Sequence, residues 1–181
     1  MNSTDHQKET ASWVEEFTRL YETAVQTFAN GTRGANKLFS DADIRQLASI
    51  GATPQEIYDF VEDCHDVGEP DFPTVLGITT VRREYFLREQ NGIPSGKHIS
   101  MQDLPAMGAA LEGYRWLPRI IEKAKAKLRG EMPPELMYAC GGDRPFLRKL
   151  GIDPTDFLRT VWKAGNDERQ ILDYVKRQSV N

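Results

Sequence analysis

The sequence is poor in the residues that build the commoner metal and thiol sites. Two cysteines, Cys64 and Cys140, and three histidines, His6, His65 and His98, are all it carries in 181 residues. No CxxC pair occurs, so the usual four-ligand zinc arrangement has no scaffold. Two distant cysteines do not make the disulfide framework of a small secreted fold, and both are expected as free thiols in a reducing compartment, by default the cytoplasm. Long hydrophobic runs are missing too, and no stretch approaches the roughly 20 apolar residues of a membrane span. The stretch Met1–Glu9 is polar, without the apolar centre of a secretory signal. Gly141-Gly142 lacks the flanking pattern of a P-loop or a dinucleotide fingerprint, and no G-x-S-x-G elbow occurs. Common nucleotide-dependent chemistry is therefore disfavoured. No cofactor, metal ligand or catalytic residue is assigned.

What is present is globular. Hydrophobic residues make up 39% and charged residues 28%, values that separate the chain from disordered tails. A chain of this size buries roughly 70% of its unfolded surface, enough to fold without a disulfide or metal staple. The formal net charge of −4 conceals an asymmetry. Met1–Glu112 holds 9 Lys/Arg against 18 Asp/Glu, a net of −9, whereas Gly113–Asn181 holds 14 against 9, a net of +5. The basic half suits an anionic partner. The plainer explanations are that the halves face one another or that the charges are simply solvated.

Apolar residues recur every third or fourth position in segment after segment, the spacing of one face of an α-helix. Trp13, Phe17, Leu20, Ala24 and Phe28 form such a stripe in a helix expected from Ser12, as N-cap, to Ala29. The stretch 33–37 reads as a loop. A short helix after Ser40 turns Ile44, Leu47 and Ala48 inward, and Thr53-Pro54 opens the next, which buries Ile57, Phe60, Val61 and Cys64. The helix from Asp71 to Gln90 is apolar around too much of its circumference for a surface position and is expected to be central. Arg82 and Arg83 fall inside it, so a buried guanidinium with a carboxylate partner is expected. Residues 93–113 are broken by prolines and glycines and read as a connection. Beyond it come a helix from Pro118 to Arg129 and three shorter ones near Asp143–Leu150, Pro154–Ala164 and Asp167–Gln178. No stretch alternates with a period of two. The expected fold is an all-α, irregular bundle of about seven helices. It forms a single domain over 1–181, divisible into an acidic half (1–92), a connection (93–113) and a basic half (114–181).

Leu47, Ile50, Gly51 and Pro54 recur, shifted by 100 positions, as Leu147, Leu150, Gly151 and Pro154. Duplication of a helix-turn-helix unit and convergence on common turn chemistry account for this echo equally well.

The segment from Trp116 to Gly130 (WLPRIIEKAKAKLRG), with Cys140–Leu147 (CGGDRPFL) and Leu150–Asp153 (LGID), resembles a bacterial family of unknown function, DUF5069. The resemblance covers Gly113 to about Gln178 and, less closely, the acidic stretch from Gly51 to Gly92. It implies a bacterial, cytoplasmic protein and supplies no activity or catalytic residue to transfer.

One segment invites a site. In Tyr138–Arg144, two glycines precede a helix start, where exposed N–H groups can receive an anion. Cys140 lies beside that helix, where a thiol can become a nucleophile, and Arg144 could hold a carboxylate or phosphate. With Trp116 and Arg119 nearby in the pattern, the candidate ligand-binding set is Trp116, Arg119, Cys140, Gly141, Gly142, Asp143 and Arg144. The structural alternative is that Asp143 caps its helix, the glycines make the turn and Cys140 packs as a small apolar residue. Glu62-x-x-His65 has the spacing of a bundle metal site, but neither His6 nor His98 supplies a second such pair. Arg119, Lys123, Lys125, Lys127 and Arg129 against Glu122 could track a phosphate backbone, although the chain is acidic overall and no nucleic-acid motif occurs. Their structural alternative is a basic helix lying against the acidic face of Pro54–Asp66.

The expected function is a non-catalytic binding or regulatory module for an anionic small molecule or protein. The competing readings are a cysteine-dependent enzyme and a weak nucleic-acid binder through residues 118–129. Self-association into a homo-oligomer is left open, and no membrane partner is expected.

Overall fold

The computed structural model describes the backbone of residues 3–179 and the side chains of residues 12–179. The side chain of His6 lies outside the described residues. The all-α expectation holds: nine helices and one two-stranded ladder are present among the described residues. They fall into two compact units. The first runs through Ala48 and resumes over Thr53–Asp71; the second comprises Ser49–Ala52 and the chain from Phe72 onward. The two units thus part at residue 72, and the 93–113 connection lies inside the second.

In the first unit, α1 (Ser3–Ala29) buries the expected stripe of Trp13, Phe17, Leu20, Ala24 and Phe28. It begins before Ser12, which is therefore an ordinary helical residue and not a cap. Residues 33–37, expected as a loop, contain a single helical turn, α2 (Ala35–Leu38), which accounts in part for a count above seven. In α3 (Asp41–Ser49) Leu47 is buried, but Ala48 is exposed, contrary to expectation. The start of α4 (Pro54–Val67) is a complete capping box: Thr53 Oγ1 accepts from Glu56 N at 3.2 Å and Glu56 Oε2 accepts from Thr53 N at 2.9 Å. Its Ile57, Phe60 and Val61 are buried as expected, with Cys64 half-buried.

In the second unit, α5 (Phe72–Arg88) is central, with α6 (Leu117–Arg129) and α8 (Pro154–Ala164) packed on it and on each other. α5 ends at Arg88, two residues before the expected end. Gly77 permits the α5–α8 approach, since a Cβ there would sit 2.5 Å from Thr155 Oγ1. Arg82 is buried as expected, and its guanidinium donates to Gln90 Oε1 at 2.7 Å and to the Leu128 carbonyl at 2.9 Å. Two short strands, β1 (Ala110–Leu111) and β2 (Tyr114–Arg115), pair antiparallel across Glu112 and Gly113, both at positive φ as primed hairpin turns demand. Two residues per strand display no alternation, so the sequence carries no period-two signal for this ladder. α7 (Asp143–Lys149) and α9 (Glu168–Ser179) complete the unit, α9 burying Ile171, Leu172 and Val175.

The echo is real as local construction. α3 and α7 each lead to a glycine at positive φ, 72° at Gly51 and 66° at Gly151. A capped proline helix follows both, Thr53 capping α4 and Asp153 capping α8. The same shift continues into the cores: Ile57, Tyr58 and Val61 are buried, as are Phe157, Leu158 and Val161. No helix is long and apolar enough to cross a membrane among the described residues.

Candidate functional site

α6 begins abruptly. Its N-cap, Trp116, has φ 77°, a left-handed conformation that a bulky side chain adopts only when its surroundings hold it there. The reward is directional: the indole Nε1–H donates to Asp143 Oδ1 at 2.9 Å. The other carboxylate oxygen receives the ammonium of Lys123, one turn and a half into α6, at 2.5 Å. Lys123 is 2% exposed and Asp143 not at all, so this is a buried ion pair. Lysine is almost never buried without such a partner, because desolvating an uncompensated ammonium is prohibitive. The same ammonium reaches Cys140 Sγ at 3.2 Å, with Cys140 itself half-buried.

Asp143 therefore does not cap α7. It occupies the first helical position, Gly142 stands at the cap, and no side chain bonds the cap amides. Cys140 instead closes the turn through its backbone, its carbonyl accepting from the N–H groups of Asp143 and Arg144 at 2.9 and 3.0 Å. Gly142 is required by contact and not by φ: a Cβ there would lie 2.9 Å from Trp116 Cζ2. Ala139, preceding the turn, is a second non-glycine residue at positive φ, 60°.

Of the sequence-derived set, Trp116, Cys140, Gly142, Asp143 and Arg144 do converge. Arg144 is only 6% exposed and donates to the Ala139 carbonyl at 2.7 Å, so it is part of the interior and not a surface anion hook. Arg119 is turned to the connection, donating to the Pro105 carbonyl at 2.8 Å, with its guanidinium 5.9 Å from the Trp116 ring centroid. Within this set only Gly141 and Gly142 are exposed. Behind the cluster, Tyr138 is buried and donates to the Pro154 carbonyl at 2.7 Å; burial, and then the negative charge of Asp143, push its hydroxyl well above the ordinary tyrosine range.

Lys123 is the participant that sequence reading placed wrongly, on an outer basic face. Lys127 is likewise 2% exposed. The phosphate-tracking stripe of Arg119, Lys123 and Lys127 is thereby lost: two of the three are inside. Ile120, Lys123, Ala124 and Lys127 share one face at helical spacing, which is the part of this burial that the sequence displays. Lys125 is half-buried and pairs with Glu122 at 2.8 Å. His65 belongs to the first unit and bonds Asp66 at 2.8 Å. Among the described residues no group of His, Cys, Asp or Glu is placed to hold a metal ion.

Trp116, Lys123, Cys140 and Asp143 thus form one cluster linking the start of α6 to the turn before α7. Both segments fall within a single family match. Residues 102–181 match the family model for the domain of unknown function DUF5069. The match takes in the whole segment, Gly113 to Gln178, on which the resemblance was read, and stops short of the acidic stretch 51–92. No curated protein and no solved structure matches the chain. The matched segment holds all four residues of the cluster.

Proposed function

We propose that this protein is a non-catalytic binding module for an anionic partner. The observation that supports it is the closure of the Trp116–Lys123–Asp143 cluster. The ammonium, the carboxylate and the indole N–H satisfy one another inside the protein, so none is available to move a proton or polarise a substrate. Catalysis through a thiol wants a base and an orienting group in reach, and the group beside Cys140 is an ammonium already committed to Asp143. The anionic preference is supported by the basic balance of residues 113–181, most of whose lysines and arginines remain at the surface. A thermal-shift screen against organic phosphates, polycarboxylates and acidic polypeptides at low salt tests the reading, because a ligand that binds only the folded form raises Tm. A saturable rise with at least one anion class, weakened by salt, is expected; no shift with any anion defeats it.

A second reading is favoured by one contact, that of Lys123 Nζ with Cys140 Sγ. If Cys140 acts as a nucleophile, its alkylation at neutral pH should be faster than that of a free thiol and should slow in Lys123→Met. A rate matching the free thiol in both proteins removes this reading.

A further inference from the structure

The basic balance of the second unit has a focus away from the Cys140 turn. The last turns of α5 and α8 lie together and present Glu84, Tyr85, Arg88, Arg159, Trp162 and Lys163. Trp162 stands between two open clefts. One, of about 290 Å³, is walled by Tyr85 and Trp162 with Lys125 and Arg129 at its edge. The other, of about 400 Å³, gathers Arg88, Arg159 and Lys163 around the same indole, with Glu84 also in its wall. The indole is fixed on both sides: Tyr85 meets it edge-on, ring centroids 5.5 Å apart at 65°, and its Nε1–H donates to Glu89 Oε1 at 3.2 Å.

Charges at this face are unevenly matched. Arg159 is paired with Glu84 at 3.0 Å. Arg88 and Lys163 have no hydrogen-bond or ion-pair partner among the described residues. A half-exposed, immobilised tryptophan flanked by arginines is the residue combination that concentrates binding energy in protein interfaces. A pre-ordered ring also loses little entropy when it is covered.

The occupant follows from the shape and from the acids. Two clefts in series across one indole suit an extended chain more than a compact ligand. Glu84 and Glu89 line the same clefts, which opposes a nucleic-acid backbone with a phosphate at every step. A polypeptide can set acidic side chains against Arg88 and Lys163 and neutral groups against the glutamates. We infer that the Arg88–Trp162–Lys163 face is the docking surface for an acidic segment of a protein partner, with an aromatic or apolar side chain of that segment covering Trp162. This rests on the anionic-partner reading above and gives it a location and a chemistry.

The test titrates the full chain with poly(Glu,Tyr), with poly-Glu and with a single-stranded oligonucleotide, at low and at physiological salt, by calorimetry. The same titrations are run on Arg88→Glu/Lys163→Glu and on Trp162→Ala, with circular dichroism verifying their folding. Saturable, salt-sensitive binding of poly(Glu,Tyr), tighter than poly-Glu and weakened by about tenfold or more in either variant, is expected. Binding that persists unchanged in both variants overturns the location while leaving the anionic-partner reading intact. Tighter binding of the oligonucleotide, lost in the same variants, overturns the proposed partner class. Absence of binding to all three polymers counts against the inference and against the broader reading together.

Discussion

Replacing Lys123 by methionine keeps an unbranched side chain of similar length and removes one charge. The carboxylate of Asp143 then remains in a fully buried position, with the Trp116 indole N–H at 2.9 Å and no ammonium beside it. Removing one partner of a buried ion pair costs about 3–5 kcal/mol, because the penalty is that of the stranded charge and not the net worth of the pair. For a protein of this length each kcal/mol lowers Tm by roughly 2–4 °C, so a fall of about 6–20 °C is expected. Combining Lys123→Met with Asp143→Asn removes both charges, and the double variant should be more stable than Lys123→Met alone. Urea unfolding of the wild type, Lys123→Met, Asp143→Asn and the double variant, extrapolated linearly to water, closes a double-mutant cycle and yields the coupling directly. A loss below about 1 kcal/mol in Lys123→Met, the value of a solvent-exposed pair, would refute the buried-cluster argument.

Other outcomes follow from the same contacts. Gly142→Ala should cost about 1–3 kcal/mol, since the new methyl collides with the Trp116 ring, and the emission of Trp116 should change with it. Tyr138 has a folded-state pKa above the ordinary value of 10.0, so its contribution is complete below that pH and is lost as the solution becomes more alkaline. Tyr138→Phe should therefore lose stability at neutral pH, about 1 kcal/mol with the Pro154 hydrogen bond, yet show a shallower decline above pH 10, as alkaline unfolding monitors. Glu131 behaves in the opposite sense: burial raises its pKa, but hydrogen bonds from Ser95 and Arg129 and the charges of Arg129 and Lys97 outweigh it and hold the carboxyl below 4.5. Its stabilisation is present above that value and disappears as pH falls through the lowered one, so Glu131→Gln should flatten the acid limb of the stability profile.

Helical spacing made most of the fold readable, because each helix that packs against another declares its buried face every third or fourth residue. The stripe from Trp13 to Phe28 and the capped start at Thr53-Pro54 are both present as read. The features without a sequence signal are short or conformationally odd. A single turn at 35–38 and a two-residue ladder are too brief to show a period, and nothing in the sequence announces a tryptophan at positive φ. The candidate site was half legible. Glycine and cysteine chemistry drew attention to the right turn, but residue type alone placed Lys123 and Lys127 in water and assigned Asp143 to capping. Whether a lysine on the edge of a helical stripe is inside depends on a carboxylate arriving from another element, here Asp143, twenty residues later. The cluster at Trp162 was silent for a similar reason, since Arg88 and Lys163 meet only when α5 and α8 pack.

The most direct measurement uses the three tryptophans, Trp13, Trp116 and Trp162, each of which gives one indole N–H resonance in a nitrogen–proton correlation spectrum. Titration of poly(Glu,Tyr) into the labelled protein should move or broaden the Trp162 resonance while Trp116, bonded to Asp143, holds its position. A Trp116 resonance that shifts while Trp162 stays fixed would place recognition at the Cys140 turn and contradict the assignment of docking to the Trp162 face.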